Sequence, residues 1–280
     1  MLAEQMLTST GAGLAFDLHA FGDDAVLGCE FVGTIVQVHP SVSKLAVGDR
    51  IAALIWGEAP WRTPADNRRT YCIADERIAF KIPDSIGSPS ACAIPLAANT
   101  AYLALFSKGS LNLPQAGAGP DRSVLIWGGS SIVGYFAIQL ARLHGFTVVT
   151  TCSPSNFDFV KKAGATHVFD YADPHVAMKI RGALPQLAHV FDTIGNSTSS
   201  STASGCLKDG IGALCTVRPG KTNTDGVPEN VRVTDVFVFT AFPTTHTYRG
   251  LAYWPVSAES CNHPGSKKHN PGLQNKNSVL

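Results

Sequence analysis

The chain has 280 residues, 45% hydrophobic and 15% charged, with a formal net charge of +1. That length can bury a sizeable core and suits two domains, while Lys and Arg are too scattered to form the basic stripe that a nucleic acid requires. No apolar stretch reaches the roughly 18 residues of a membrane span, and MLAEQMLTST lacks the basic start and long apolar run of a signal peptide, so a cytoplasmic protein is expected. Seven cysteines (Cys29, Cys72, Cys92, Cys152, Cys206, Cys215 and Cys261) are odd in number, widely spaced and without a CxxC pair, which reads as reduced thiols.

In chain order, residues 1 to about 85 hold short β-like runs punctuated by Gly and Pro: FVGTIVQV, VGDRIAALIW and RRTYCIADERIAFKIP. Such spacing predicts a small barrel. From Ser88 to Leu105 an Ala-rich stretch reads as helices broken at Pro95. The loop LNLPQAGAGPDRS then marks a boundary, giving a first domain over 1–119. Beyond it Val124 to Trp127 form a continuous apolar strand of the kind buried on both faces of a parallel sheet. Gly128 and Gly129 permit a tight turn, and an amphipathic helix opening at Gly134 carries Phe136, Ala137, Leu140 and Leu143 on one face. Thr147 to Thr151 make the next strand, and THVFDY, LAHVFDTIG and GALCTVRP are three further candidates separated by helix-like stretches. Alternation of this kind predicts an α/β fold with a doubly wound sheet over 120–258. The last stretch, 259–280, is polar, without helical or strand periodicity.

The turn between the first two strands of that sheet carries the chemistry. Free amides at a helix start, reinforced by the helix dipole, suit a pyrophosphate, so Ser130, Ser131, Ile132 and Val133 are expected to hold the diphosphate of a dinucleotide. GGSSIVG is a variant of the GxGxxG fingerprint, not a literal match. An NAD site usually carries Asp or Glu about 20 residues beyond the first glycine; here the place reads Thr151, Cys152, Ser153. With no acid to repel a 2′-phosphate, and with neutral donors from Ser153, Ser155 and Asn156 around Pro154 and from Tyr171, the expected cofactor is NADPH. The same Ser153 to Asn156 stretch can also cap the helix that follows, and the two roles are compatible.

LGCEFVGTIVQV, VGDRIAALIWG, PLAANTAYLALF, LIWGGSSIVGYFAIQLARLHGFTVVTTCSPSNFDFVKKAGATHVFDY and HTYRGLAYWPVS together resemble the medium-chain dehydrogenase/reductase superfamily. Within it the chain is most similar to the fungal trans-acting enoyl reductases that partner polyketide synthases in secondary metabolism, the lovastatin enoyl reductase group. The resemblance spans about Leu27 to Ala258. It implies a GroES-like β-barrel domain ahead of a Rossmann-type nucleotide-binding domain. It also implies transfer of hydride from NADPH to the α,β-double bond of a polyketide chain tethered to the synthase's acyl carrier domain, with neither nucleic acid nor membrane as partner.

By the same resemblance Val217 and Arg218 approach the nicotinamide end, although an Arg there is otherwise an ordinary surface charge. Thr100 either orients cofactor or substrate or serves as a helix cap. Ala101, Tyr102, Leu103, Ala104, Leu105, Phe106 and Ser107, with Phe239, Thr240, Ala241, Phe242 and Pro243, either line an acyl pocket or belong to the core. Zinc-dependent relatives have a Gly-His-Glu motif; Gly28, Cys29 and Glu30 stand in its place, so no metal is expected and Cys29 reads as a small buried residue. The family begins with strands that this chain, starting almost at GCEFVG, is expected to lack, leaving an incomplete barrel. Two alternatives stay open: a zinc-free quinone or alkenal reductase, and a noncatalytic NADP-binding protein.

Overall fold

The computed structural model describes residues 2–8, 28–55, 71–115, 122–248 and 251–256, with 2–8 and 246–248 given by backbone alone. The first sheet is antiparallel. Its strands β1 (Leu2–Thr8), β2 (Glu30–Gln37), β3 (Arg50–Leu54), β4 (Tyr71–Ile73) and β5 (Ala79–Lys81) run in the order β4-β1-β2-β3-β5. Period-two alternation explains why both faces are covered. Phe31, Ile35, Ile51 and Ala53 pack together on one side, and Val32 and Ala52 pack against Ile82 and helix α1 (Ser88–Cys92) on the other.

A strand precedes Gly28, which the sequence reading did not contain. β1 pairs with β2 from Leu2 opposite Gln37 to Thr8 opposite Phe31, and with β4 on its other side. β1 therefore lies inside the sheet, between β4 and β2, and not at its edge.

The second sheet is parallel and has six strands: β6 (Ser123–Trp127), β7 (Thr147–Cys152), β8 (His167–Asp170), β9 (His189–Asp192), β10 (Gly212–Thr216) and β11 (Val231–Asp235). Their order is β8-β7-β6-β9-β10-β11, the 3-2-1-4-5-6 arrangement of a doubly wound sheet. β11 was not among the strands read from the sequence. β6 is buried along its length, and successive side chains point into opposite layers. Val124 and Ile126 meet helices α2 (Pro95–Phe106) and α3 (Ile132–Leu143) with Val160 of α4 (Phe157–Ala163). Leu125 and Trp127 meet Val176 and Ile180 of α5 (Val176–Ala183) and Ala203 of α6 (Ser199–Ser204).

Helix α3 begins at Ile132, two residues earlier than the sequence suggested, because Ser131 is a true cap whose Oγ accepts from Gly134 N–H at 3.0 Å. α2 was assigned by sequence to the first domain, yet its side chains share the core of the second. The boundary expected near residue 119 lies outside the described residues, as does the stretch 259–280. The two sheets meet through one apolar cluster: Leu54 of β3 lies with Leu96 of α2 and Phe237, Val238 and Phe239, the segment that follows β11.

Candidate cofactor and substrate site

Strand order reverses between β6 and β9, and in such sheets ligands bind at the carboxyl ends of the strands at that point. The glycine turn is there. Gly128 has φ +86°, and a Cβ on it would lie 2.5 Å from Ile194 Cδ1; one on Gly129 would lie 2.0 Å from Thr150 Oγ1. A Cβ on Gly134 would lie 2.3 Å from Gly128 O, so the helix start is packed backbone on backbone against the turn. The turn is held by Gly129 N–H to Thr151 O (2.9 Å) and Gly128 N–H to Thr151 Oγ1 (3.2 Å).

This geometry sorts the four residues expected to hold a diphosphate. Ile132 and Val133 are the first two residues of α3, where amides have no intrahelical acceptor and the dipole favours an anion. Ser130 is half-buried at the tip of the turn. Ser131 differs from the other three: its N–H donates to Gly128 O (3.0 Å) and its Oγ is engaged by Gly134 N–H (3.0 Å) and by Thr193 Oγ1 (2.8 Å). The turn and the first residues of α3 thus form a backbone cradle whose unpaired helix-start amides are of the donor type that suits a diphosphate.

At the end of β7, Ser153 precedes a single 3-10 turn, Pro154–Asn156, that leads into α4. Asn156 Nδ2 donates to Ser153 Oγ at 3.0 Å, and Ser153 and Ser155 hydroxyls are 3.2 Å apart. Pro154, Ser155 and Tyr171 are exposed, so this cluster faces outward beside the crevice. Ser153 does not bond the helix amides through its side chain, and the capping alternative is not realised. Sequence reasoning missed Asp170, which is registered opposite Cys152 on the neighbouring strand. Its Oδ1 accepts from Ala172 N–H at 2.9 Å. Burial, then the Asp170 charge, pushes the Cys152 thiol up, so that side chain is a neutral thiol.

The far wall comes from β9 and β10. Asp192 is fully buried; its Oδ1 accepts from the amides of Ile194 (2.9 Å) and Gly195 (3.1 Å), and its Oδ2 from Ser199 (2.6 Å) and Ser200 (2.7 Å) hydroxyls. Four donors satisfy one carboxylate and fix the loop between β9 and α6. Asp192 was not singled out from the sequence, although FDTIG followed by a Ser-rich stretch was the available signal. Val217 N–H donates to Asp192 O at 3.0 Å. Arg218 Nε donates to Gly195 O at 3.0 Å, with Asn223 Nδ2 on the same oxygen at 2.8 Å. Arg218 is therefore a bracket across two strand ends rather than an unattached surface charge.

Thr100 is buried in the middle of α2, and its Oγ1 donates to Leu96 O at 2.7 Å; it is not a cap. Leu96 N–H in turn donates to Glu30 Oε2 at 2.8 Å, tying the helix start to β2. Among the other expected substrate residues, Ala101, Leu103, Ala104, Leu105 and Phe106 pack in the core with Val124 and Ala137, the second of the two roles that the sequence left open for them. The rings of Phe106 and His144 are 4.5 Å apart, and His144 follows the last residue of α3, the end away from the glycine turn. Tyr102, on the same side, accepts from Gln115 Nε2 at 2.9 Å. Ser107 Oγ donates to Leu103 O at 2.7 Å and ends the helix. Phe239 is buried in the cluster between the sheets, while Thr240, Ala241 and Phe242 are half-buried and Pro243 exposed.

Gly28-Cys29-Glu30 does not fit a catalytic zinc site. Cys29 is half-buried, not buried as expected, Glu30 holds Leu96, and no group of three or more His, Cys, Asp or Glu among the described residues is placed to hold a metal ion. No helix among them is long and apolar enough to cross a membrane.

Comparison with known proteins adds two family matches: an alcohol dehydrogenase GroES-like domain over residues 9–94 and a zinc-binding dehydrogenase domain over 133–249. The chain is 33% identical over 219 residues to the trans-enoyl reductase ACTTS2 of Alternaria alternata, covering 78% of this chain and 63% of that protein. It is 41% identical over 162 residues to the trans-enoyl reductase eqxC of Fusarium heterosporum, covering 56% of this chain and 45% of that one. The chain thus spans about half to three-fifths of the length of these relatives. An alcohol dehydrogenase superfamily protein from Novosphingobium aromaticivorans shares the fold, with a TM-score of 0.69 at 23% identity over 86% of this chain and 72% of that one.

Proposed function

Because the chain belongs to the medium-chain dehydrogenase/reductase superfamily, we propose that it is an NADPH-dependent enoyl reductase. In this reading it acts in trans on a polyketide chain carried by the acyl carrier domain of a polyketide synthase. The observation that carries the reading is the glycine turn at the switch point of the parallel sheet, where three glycines leave room that any Cβ would fill. The names of the relatives, trans-enoyl reductases in two fungi, support the reaction class.

Ser130, Ile132 and Val133 would hold the diphosphate, and Ser153, Pro154, Ser155, Asn156 and Tyr171 the 2′-phosphate end. Val217 and Arg218, fixed by Asp192 and Gly195, would border the nicotinamide. When bound, NADPH supplies the hydride that adds to the β-carbon of an enoyl thioester. The chain's part is to orient and to exclude water. Thr100 commits its proton to Leu96 O, so toward the crevice its hydroxyl offers only lone pairs and is an acceptor that positions rather than a proton source. Phe239, Ala241 and Phe242 offer an apolar wall for an acyl chain.

Fluorescence titration with NADPH and NADH, followed by turnover assays on pantetheine-linked enoyl chains and on free quinones, tests this. NADPH is expected to bind at least tenfold more tightly than NADH, with activity confined to the thioester. Tighter NADH binding would defeat the cofactor assignment, activity on quinones alone would select the small-molecule reductase, and NADPH binding without any turnover would select the noncatalytic protein.

A further inference from the structure

Thr193 sits where three hydrogen-bond contacts of the glycine turn converge. Its Oγ1 is 2.8 Å from Trp127 O, 3.0 Å from Gly128 O and 2.8 Å from Ser131 Oγ. Carbonyl oxygens only accept, and Thr193 has one hydroxyl proton. Were that proton aimed at Ser131, the lone pairs of Thr193 would face two carbonyl oxygens at hydrogen-bond distance with nothing between them. The proton must lie toward the carbonyls, and across the third contact Ser131 must be the donor.

The consequence reaches Ser131. Its hydroxyl proton goes to Thr193, its Oγ accepts from Gly134 N–H, and its own N–H is donated to Gly128 O. A phosphate oxygen is an acceptor, and Ser131 has no donor left for one. Thr193 is buried at the end of β9, and the four bonds on neighbouring Asp192 hold the backbone on its other side.

We infer that Thr193 is a positioning residue that locks Ser131 into its capping role and so shapes the cradle, leaving the phosphate to Ser130, Ile132 and Val133. This rests on the NADPH reading above. The test compares wild type, Thr193→Val, Thr193→Ser and the Thr193→Val/Ser131→Ala double variant, with Kd read by intrinsic fluorescence for NADPH and for 2′-AMP. The second probe has no diphosphate and reports the Ser153–Asn156 end alone.

Thr193→Val is expected to weaken NADPH roughly five- to tenfold, leave 2′-AMP within twofold and be rescued by Thr193→Ser. The double variant should bind NADPH no worse than Thr193→Val, because both changes break one chain of bonds. NADPH binding unchanged in Thr193→Val, or equal weakening of both probes, overturns this inference alone. Wild-type protein that ignores NADPH overturns the cofactor reading and this inference with it.

Discussion

Gly134 carries a constraint that its place inside a helix conceals. Alanine is the better helix former by about 1 kcal/mol, which would make Gly134→Ala stabilising if propensity decided. The added Cβ would instead lie 2.3 Å from Gly128 O and 2.9 Å from Gly129 Cα, both backbone atoms that no rotamer change can move. Overpacking of this kind costs about 1–3 kcal/mol and wins. Gly134→Ala should lower the urea midpoint and weaken NADPH binding at least tenfold; a midpoint at or above wild type would show that the turn yields. Asp192 presents the opposite case, a buried carboxylate with every bond made. Asp192→Asn puts two N–H donors where four donors converge, and a loss of about 1–3 kcal/mol in equilibrium unfolding is expected. A loss under about 0.5 kcal/mol would mean the serine hydroxyls reorient freely.

Elements are held by a few charged groups at their ends. Glu30 meets the second residue of α2, where a carboxylate both caps an amide and complements the helix dipole. Because Thr100 bonds Leu96 O, the same link sets the height of Thr100. Glu30→Ala should cost about 1–2 kcal/mol, measured by thermal unfolding, with Glu30→Gln recovering part through its amide oxygen. In β9, burial first, then the charges of Arg232 and Arg122, lowers the pKa of His189 below its ordinary value. A lowered pKa means the fold prefers the neutral ring. Its contribution is complete above the ordinary histidine value near 6.5 and is lost as pH falls through the lowered one. Urea midpoints should therefore fall between pH 7.5 and 5, and fall less in His189→Gln; parallel curves for the two proteins would refute the assignment.

For the molecule as a whole, the decisive feature is that the two sheets share side chains. Phe237 follows the last strand of the parallel sheet and lies with Leu54 of the antiparallel one, and its ring is 4.4 Å from that of Tyr253. Phe237→Ala should cost about 3–5 kcal/mol and lower a single transition; two separated transitions would show independent domains. Burial also pushes the thiols of Cys206 and Cys215 up to about 12, so native protein should leave both unlabelled by a thiol reagent while urea exposes them.

What could be read in the residues was local. Apolar runs of strand length around Val124 and Val148, with a glycine turn between them, announce a strand, an anion-binding helix start and a parallel partner, because period and turn chemistry act over a few residues. The expectation of NADPH is local in the same way, since it rests on the lack of an acid at Thr151 to Ser153. The short strand Val231–Asp235 was not, since VRVTD has polar residues that only its pairing with β10 makes strand-like. Nor could sequence tell which aromatics face a ligand: Phe106 and Phe239 look alike in one dimension, and only packing puts the first beside His144 in the core and the second between the sheets. Thr193 and Ser131, 62 positions apart, acquire their meaning from the β6–β9 pairing that brings two hydroxyls to 2.8 Å. Local periodicity and turn chemistry thus determined most of the elements, because they act over a few residues, and long-range pairing decided which hydroxyls and amides of the turn are already bonded to one another.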